Sequence, residues 1–341
     1  MKPFPWHVER LRTLLAQGER MPHALLVHGP AGVGKAAFAR AFGASVLCEA
    51  PQADRLACGH CESCLWFSQG NHPDYRELVP EATAEEEGDA AEDATPAKAE
   101  KAKSLVIKIE QVRAVGDFVT LTTHRAGYRV LVIRPAEAMQ PAAANALLKT
   151  LEEPPPHTLI VLVSDRPARL LPTIRSRCRA LALGKPAREA ALAWLGEESV
   201  PFPEAALAAA GGAPLLARDL AQPDEAGLRR RVVTELSRPS GADPLQFAPA
   251  VDRDAVERFL YWMQTWVQDL LRVRLAGGPR YHAEHAEALR ARARDADVER
   301  LLDLDRELTE ARRLAAHPLN PRLLAEHLLM TYNQATQETP R

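Results

Sequence analysis

An α/β domain followed by an all-α region is the fold class that the sequence predicts, on three observations. Short apolar runs, Ala24 to Val27, Arg129 to Ile133 and Leu159 to Val163, alternate with stretches of helical periodicity, the pattern of a parallel sheet covered on both faces. The alternation stops near residue 184, where GKP marks a break. From there the chain is rich in alanine and leucine and reads as helix. With 341 residues, 46% of them hydrophobic and 26% charged, it is long enough for two or three cores.

Taken in order, Val8, Leu11, Leu14 and Leu15 stand at helical spacing, and the strand Ala24 to Val27 runs into a glycine-rich turn. A cluster of cysteines follows. Residues 81–93 then carry seven acids and no base. Such a stretch buries too little apolar surface to order itself, so a flexible acidic insertion is expected over about 81–103, either a solvated linker or an acidic binding segment. IEQVRAVGDFVTL, beginning at Ile109, is an amphipathic helix, and Asn145 to Glu152 is another. Past the break, a small helical segment extends to about residue 220 and a longer one to the end. In the latter, Val256, Phe259, Leu260, Met263, Trp266, Val267, Leu270 and Leu271 form one broad apolar stripe, expected to be core rather than a partner surface.

No apolar run approaches the roughly 18 residues of a spanning helix, and MKPFPWHVER lacks the basic-then-apolar pattern of a signal peptide. A cytoplasmic protein without membrane contact is expected. The formal net charge of −2 argues against a surface built as a whole to grip nucleic acid, since phosphate neutralisation needs a basic footprint.

Gly29 to Ala36 reads GPAGVGKA, seven positions of the phosphate-loop pattern GxxxxGK after a strand and before a helix. Gly29, Gly32 and Gly34 let backbone amides curl around phosphate oxygens, and Lys35 can reach the terminal phosphates. The eighth position should carry the hydroxyl that ligates Mg²⁺, but Ala36 offers a methyl group. The strand RVLVI should end in the acidic pair that holds the ion, yet it runs into Arg134 and Pro135. Glu137 lies too far past the strand end to stand in. ATP hydrolysis with Mg²⁺ is therefore not expected, whereas nucleotide binding without turnover stays open.

Cys48, Cys58, Cys61 and Cys64 follow the pattern C, nine residues, CxxCxxC, which suits a tetrahedral structural Zn²⁺ better than a redox dithiol. His60 and His72 could each replace a thiolate, but four sulfurs already complete the shell. CGHCESCLWF has no crowd of basic residues, so stapling the fold is its expected role.

From Asn145 the chain reads NALLKTLEEPPPHTLIVLVSDRPARLLPTIRSRC. With HALLVHGPAGVGK at 23–35, the cysteines, NHPDY at 71–75 and NPRLLAEHLLM at 320–330, it resembles the AAA+ clamp-loader subunits of bacterial DNA polymerase III over nearly its whole length, the acidic insertion apart. The ATPase members, gamma and tau, keep an intact phosphate loop and the acidic pair. Ala36, Arg134 and Pro135 put this chain with the member that lacks them.

The resemblance implies a RecA-like AAA+ domain over 1–184 with a zinc module at about 48–64, a helical lid over 185–220 and a helical collar over 221–341. It implies that Arg177, between Ser176 and Cys178, is an arginine finger inserted into a neighbouring subunit's ATP site, where from RSRCR alone Arg175, Arg177 and Arg179 read equally as a surface cluster. Ser164 falls at the nucleotide-sensing position, and Leu215 stands near where a second sensing residue, an arginine, is expected. The implied partners are gamma or tau and delta, with the sliding clamp and primer-template DNA reached through the assembly at the nucleoid-associated replisome. The implied function is a non-hydrolysing stator in the polymerase III holoenzyme, with no polymerase activity of its own. Two alternatives are an ATPase of the gamma or tau kind, which would hydrolyse ATP alone, and a zinc-dependent nucleic-acid-binding module, which would bind DNA tightly alone.

Overall fold

Five parallel strands build the first part of the molecule. The computed structural model describes residues 2–83, 104–120, 127–314 and 320–337, so all but the first three positions of the acidic insertion lie outside the described residues. The chain divides into two units, Met1–Lys185 and Pro186–Arg341.

In the first unit, helix α1 (Val8–Leu15) precedes β1 (Ala24–His28), the phosphate-loop sequence and α2 (Lys35–Leu47). Then come α3 (Glu62–Ser68), β2 (Tyr75–Leu78), α4 (Ile109–Thr120), β3 (Arg129–Ile133), α5 (Pro141–Glu152), β4 (Thr158–Ser164), the short α6 (Pro172–Arg175) and β5 (Arg179–Ala182). The strand order is β2-β3-β4-β1-β5, with β1 parallel to both β4 and β5. This is the RecA-like parallel α/β class expected. Every residue of β3 and β4 is buried, because helices cover both faces of the sheet.

The edge strands β2 and β5 are only four residues long and each carries charge, and three of the four residues of β5 are exposed, which is why no apolar run announces them. Helix α5 starts at Pro141 rather than Asn145. Proline fits the first helical position because its missing N–H has no intrahelical partner there, while the alanines after it show no apolar periodicity. Leu121, read as the end of α4, lies outside the described residues.

The second unit is helical: α7 (Arg188–Glu197), α8 (Pro203–Ala209), α9 (Pro214–Leu220), α10 (Pro223–Leu236), α11 (Pro244–Phe247), α12 (Val256–Ala276), α13 (Ala286–Arg294), α14 (Val298–Leu314) and α15 (Pro321–Thr336). Helix α12 lies at its centre, and all eight residues of the apolar stripe are buried. The polar residues of α12 that are also buried find partners. Gln264 donates to Thr309 at 2.8 Å and accepts from Arg312 at 2.7 Å, while the Asp269 carboxylate accepts from the amides of Arg280, Tyr281 and His282.

Helix α15 begins on Asn320, whose side chain accepts from the amide of Leu323, with Pro321 at the first helical position. Its Tyr332 is fully buried and joins three helices: the Trp266 Nε1–H donates to the phenol oxygen at 3.0 Å, and the phenol donates to the Leu236 carbonyl at 2.7 Å. Removing that oxygen strands a donor and an acceptor in apolar surroundings. Tyr332→Phe is therefore expected to lower stability by about 1–3 kcal/mol, read by urea unfolding; an unchanged midpoint would mean the relay contributes nothing.

Candidate functional site

The phosphate-loop sequence leaves β1 at His28 and enters α2 at Lys35. Gly29 has φ +149°, and a Cβ there would fall 2.0 Å from the carbonyl oxygen of Leu183, so only glycine permits this approach to the chain beyond β5. Gly34 has φ +92°, and a Cβ would lie 2.8 Å from the ring of Phe4. Phe4 stacks on Trp6 with centroids 4.9 Å apart, and the Trp6 Nε1–H donates to the Val33 carbonyl at 3.0 Å. The aromatic residues near the N-terminus thus rest on the loop. His7, next in line, is 2% exposed and meets Phe38 of α2 edge-on.

The Lys35 side chain is 4% exposed. Its Nζ donates to the Pro30 carbonyl at 2.5 Å and pairs with Asp165 Oδ1 at 2.5 Å. Asp165 follows β4 immediately, and β4 neighbours β1 with Ser164 opposite His28, so sheet order alone brings this carboxylate to the loop. Sequence reasoning missed Asp165. Its one local signal was its place directly after Ser164. Ser164 is itself fully buried, its Oγ accepting from the amide of Arg166 at 3.1 Å.

At the end of β3, Arg134 pairs with Glu77 of β2. The other oxygen of Glu77 accepts from Arg40 Nε at 2.9 Å and from the Tyr75 phenol at 3.3 Å. The position that would offer carboxylates to Mg²⁺ presents a guanidinium instead, fixed by an acid from the neighbouring strand. Glu137 turns toward the segment after β4, and its Oε1 accepts from the amides of Asp165 at 3.0 Å and Arg166 at 3.1 Å. Ala36 follows Lys35 in the first turn of α2 and brings no oxygen.

Arg177 lies just after α6, with its side chain 34% exposed. It pairs with Glu152, the last residue of α5, and donates to the Thr173 carbonyl at 2.9 Å. Ser176 donates to the same carbonyl at 3.1 Å. Cys178 points inward and joins the sheet core, where burial pushes its thiol up to about 11. Within this motif the arginine faces solvent and the cysteine anchors it.

The sulfurs of Cys48, Cys58, Cys61 and Cys64 all lie within 4.8 Å of one another, and the pairs Cys48–Cys61 and Cys58–Cys64 are 3.9 Å apart. Metal–sulfur bonds of about 2.3 Å in a tetrahedron put the sulfurs about 3.8 Å apart, so the donor set fits one thiolate-bound metal ion. Cys48 ends α2, and Cys61 caps α3, its sulfur accepting from the amide of Cys64. Hydrogen bonding, first at the backbone of His60, holds the Cys58 thiol down to about 6, while burial pushes Cys64 up. His60 is exposed. His72 is buried between the Ser63 hydroxyl at 2.9 Å and the amide of Asp74 at 3.0 Å, so neither histidine belongs to the cluster.

The family model described as "DNA polymerase III, delta subunit" matches residues 5–187, and that described as "DNA polymerase III, delta subunit, C terminal" matches residues 224–334. The chain is 37% identical over 280 residues to DNA polymerase III subunit delta' of Pseudomonas aeruginosa, covering 80% of this chain and 78% of that protein. It is 31% identical over 349 aligned residues to subunit delta' of Yersinia pestis, covering 98% and 96%. To DNA polymerase III subunit tau/gamma of Haemophilus influenzae it is 33% identical over 206 residues, 58% of this chain and 26% of that protein.

Two outcomes are expected from this geometry. If the four sulfurs hold a metal ion, the purified protein should carry about one per chain by elemental analysis, and Cys61→Ser should lose it and lower the thermal midpoint by about 10 °C; a metal-free native protein, or full metal content in the variant, would exclude a four-sulfur site. Burial pushes the His7 imidazole down to about 4, and the unfolded chain takes up that proton near 6.5. Its contribution to stability is thus intact above pH 6.5 and is lost as the pH falls toward 4, by up to about 3 kcal/mol. His7→Phe should flatten this part of the pH–stability profile, and an unaltered slope would refute the assignment.

Proposed function

Because the chain belongs to the DNA polymerase III delta-prime family, a component of the clamp loader, we propose that it serves there as a non-hydrolysing stator that lends Arg177 to a neighbouring ATP site. The observation that carries this reading is the Arg134–Glu77 pair at the end of β3. A cation held where two carboxylates should bind Mg²⁺ repels the ion, and Ala36 removes its hydroxyl ligand. The Lys35–Asp165 pair adds to this, since the lysine must leave a carboxylate before it can reach a phosphate.

Arg177 suits the second half of the role. It is part-exposed, it lies just after a short helix, and its ion pair among the described residues is with an exposed carboxylate. Breaking such a pair costs about 0–1 kcal/mol, whereas a guanidinium delivered to a transferring phosphoryl group accelerates hydrolysis on the order of 10³-fold or more. The four cysteines would hold a structural Zn²⁺ that closes the end of α2 onto α3. Residues 185–220 would act as lid and 221–341 as collar. The proposed partners are the gamma or tau ATPases and delta, with the sliding clamp and primed DNA engaged by the assembled loader.

The deciding experiment is ATP turnover by a reconstituted loader with clamp and primed DNA, comparing the native chain with Arg177→Ala and Arg177→Lys, alongside the isolated chain. The isolated chain should be inert, and both variants should assemble yet lose the hydrolysis of one ATP site, because an ammonium does not reproduce the planar fork of donors. Hydrolysis by the isolated chain, or unchanged turnover with Arg177→Ala, would overturn the proposal.

A further inference from the structure

Within the second unit, helices α8 and α9 meet α10 and α12 around a cavity of about 430 Å³. That volume lies in the range of small-molecule sites, roughly 300–1,000 Å³. It exists because α8 contributes only alanines here: Ala205, Ala206 and Ala209 end at Cβ, and nothing larger fills the space between them and Val233. Hydrogen bonds at the end of α8 fix it against α12 and the chain after it, the Tyr261 phenol donating to the Ala209 carbonyl at 2.7 Å and Arg280 donating to the Gly211 carbonyl at 3.2 Å.

The wall opposite the alanines is short of acceptors. The Trp262 side chain is fully buried and its Nε1–H has no partner among the described residues, nor has the Nε–H of Arg229, whose guanidinium lies 5.3 Å from the Trp262 ring. Buried donors without acceptors are costly, at about 1–3 kcal/mol each, and uncommon. The charges are unbalanced in the same direction. Arg229 pairs with Glu284, whereas Arg230, the other guanidinium of the wall, has no protein partner among the described residues. His285 also lines the cavity, and burial favours its neutral form. Two guanidiniums thus face one carboxylate, which leaves room for one anion.

A third feature stands at the rim. Phe202 is 82% exposed and has φ +48° and ψ +58°, a left-handed conformation rarely adopted by a bulky residue. It turns an aromatic ring to solvent beside an apolar floor. We infer that this cavity binds a compact apolar carboxylate, its hydrocarbon on the alanine floor beside Phe202 and its carboxylate on the wall of Arg229, Arg230 and Trp262. A free organic acid and the last residue of a peptide offer the same chemistry.

The test is an NMR titration of the full-length ¹⁵N-labelled chain with N-acetyl-leucine. The indole N–H signal of Trp262, assigned by its loss in Trp262→Phe, should shift saturably, and N-acetyl-leucinamide at equal concentration should leave it unmoved. Arg230→Ala should weaken the carboxylate about tenfold, the loss of one charge-assisted hydrogen bond. Ala205→Phe, which fills the cavity from its half-exposed mouth, should abolish the shift while leaving the remaining spectrum folded. A pentapeptide ending in leucine then separates the sources: binding tighter than N-acetyl-leucine assigns a chain terminus, and weaker binding assigns a free acid. The inference fails if N-acetyl-leucine produces no saturable shift, or if acid and amide act alike.

Discussion

In a parallel sheet, the strand that sits between two others has its loop flanked by whatever follows those neighbours, and here that strand is β1. The end of β4 supplies Ser164 and the next residue Asp165 on one side, and the chain beyond β5 supplies Leu183 on the other. The glycine at position 29, the burial of Lys35 and its capture by Asp165 all follow from that adjacency rather than from the loop sequence itself. One further strand outward, β3 and β2 bring Arg134 and Glu77 together on the same principle. The chemistry of this edge is set by strand order, and individual substitutions act within it.

Charge balance then shows what the loop is suited to. A working Mg²⁺–phosphate site gathers carboxylates around the metal and cations around the phosphates. In this molecule the cation Arg134 stands on the metal side, and the carboxylate Asp165 holds the phosphate-side lysine. Each of these two charges is paired within the protein, Lys35 with Asp165 and Arg134 with Glu77. The proposed stator role needs such a site: one that holds its shape regardless of the nucleotide state of its neighbours, while Arg177 on the surface remains available.

How much of this the sequence disclosed depends on how local each feature is. The central strands β3 and β4 are buried on both faces and therefore read as unbroken apolar runs. The phosphate loop and the cysteines are defined by spacing, so their members are recognisable without any fold. The edge strands YREL and RALA carry no such signature, since four residues interrupted by charge make no apolar run. Asp165, Glu77 and the Phe4–Trp6 stack could not be read ahead of the structure, because each meets its partner across strands or from a remote stretch of chain. Glu137 shows the converse. Its distance from the strand end argues against metal binding, but the contact it makes, accepting from two amides after β4, depends on a neighbour that only the sheet supplies.

Helix α2 connects two features that are far apart in chemistry. Its first residue is the loop lysine, and the residue after its last is Cys48, so at about 1.5 Å per residue its thirteen residues span about 20 Å between the loop and the sulfur cluster. A rod fixed at both ends can neither roll nor slide. A metal ion held by the four sulfurs would clamp one end, and the phosphate loop at the other would then be braced as a beam is braced by its far bearing, stiffness at one face drawn from a knot tied at the other.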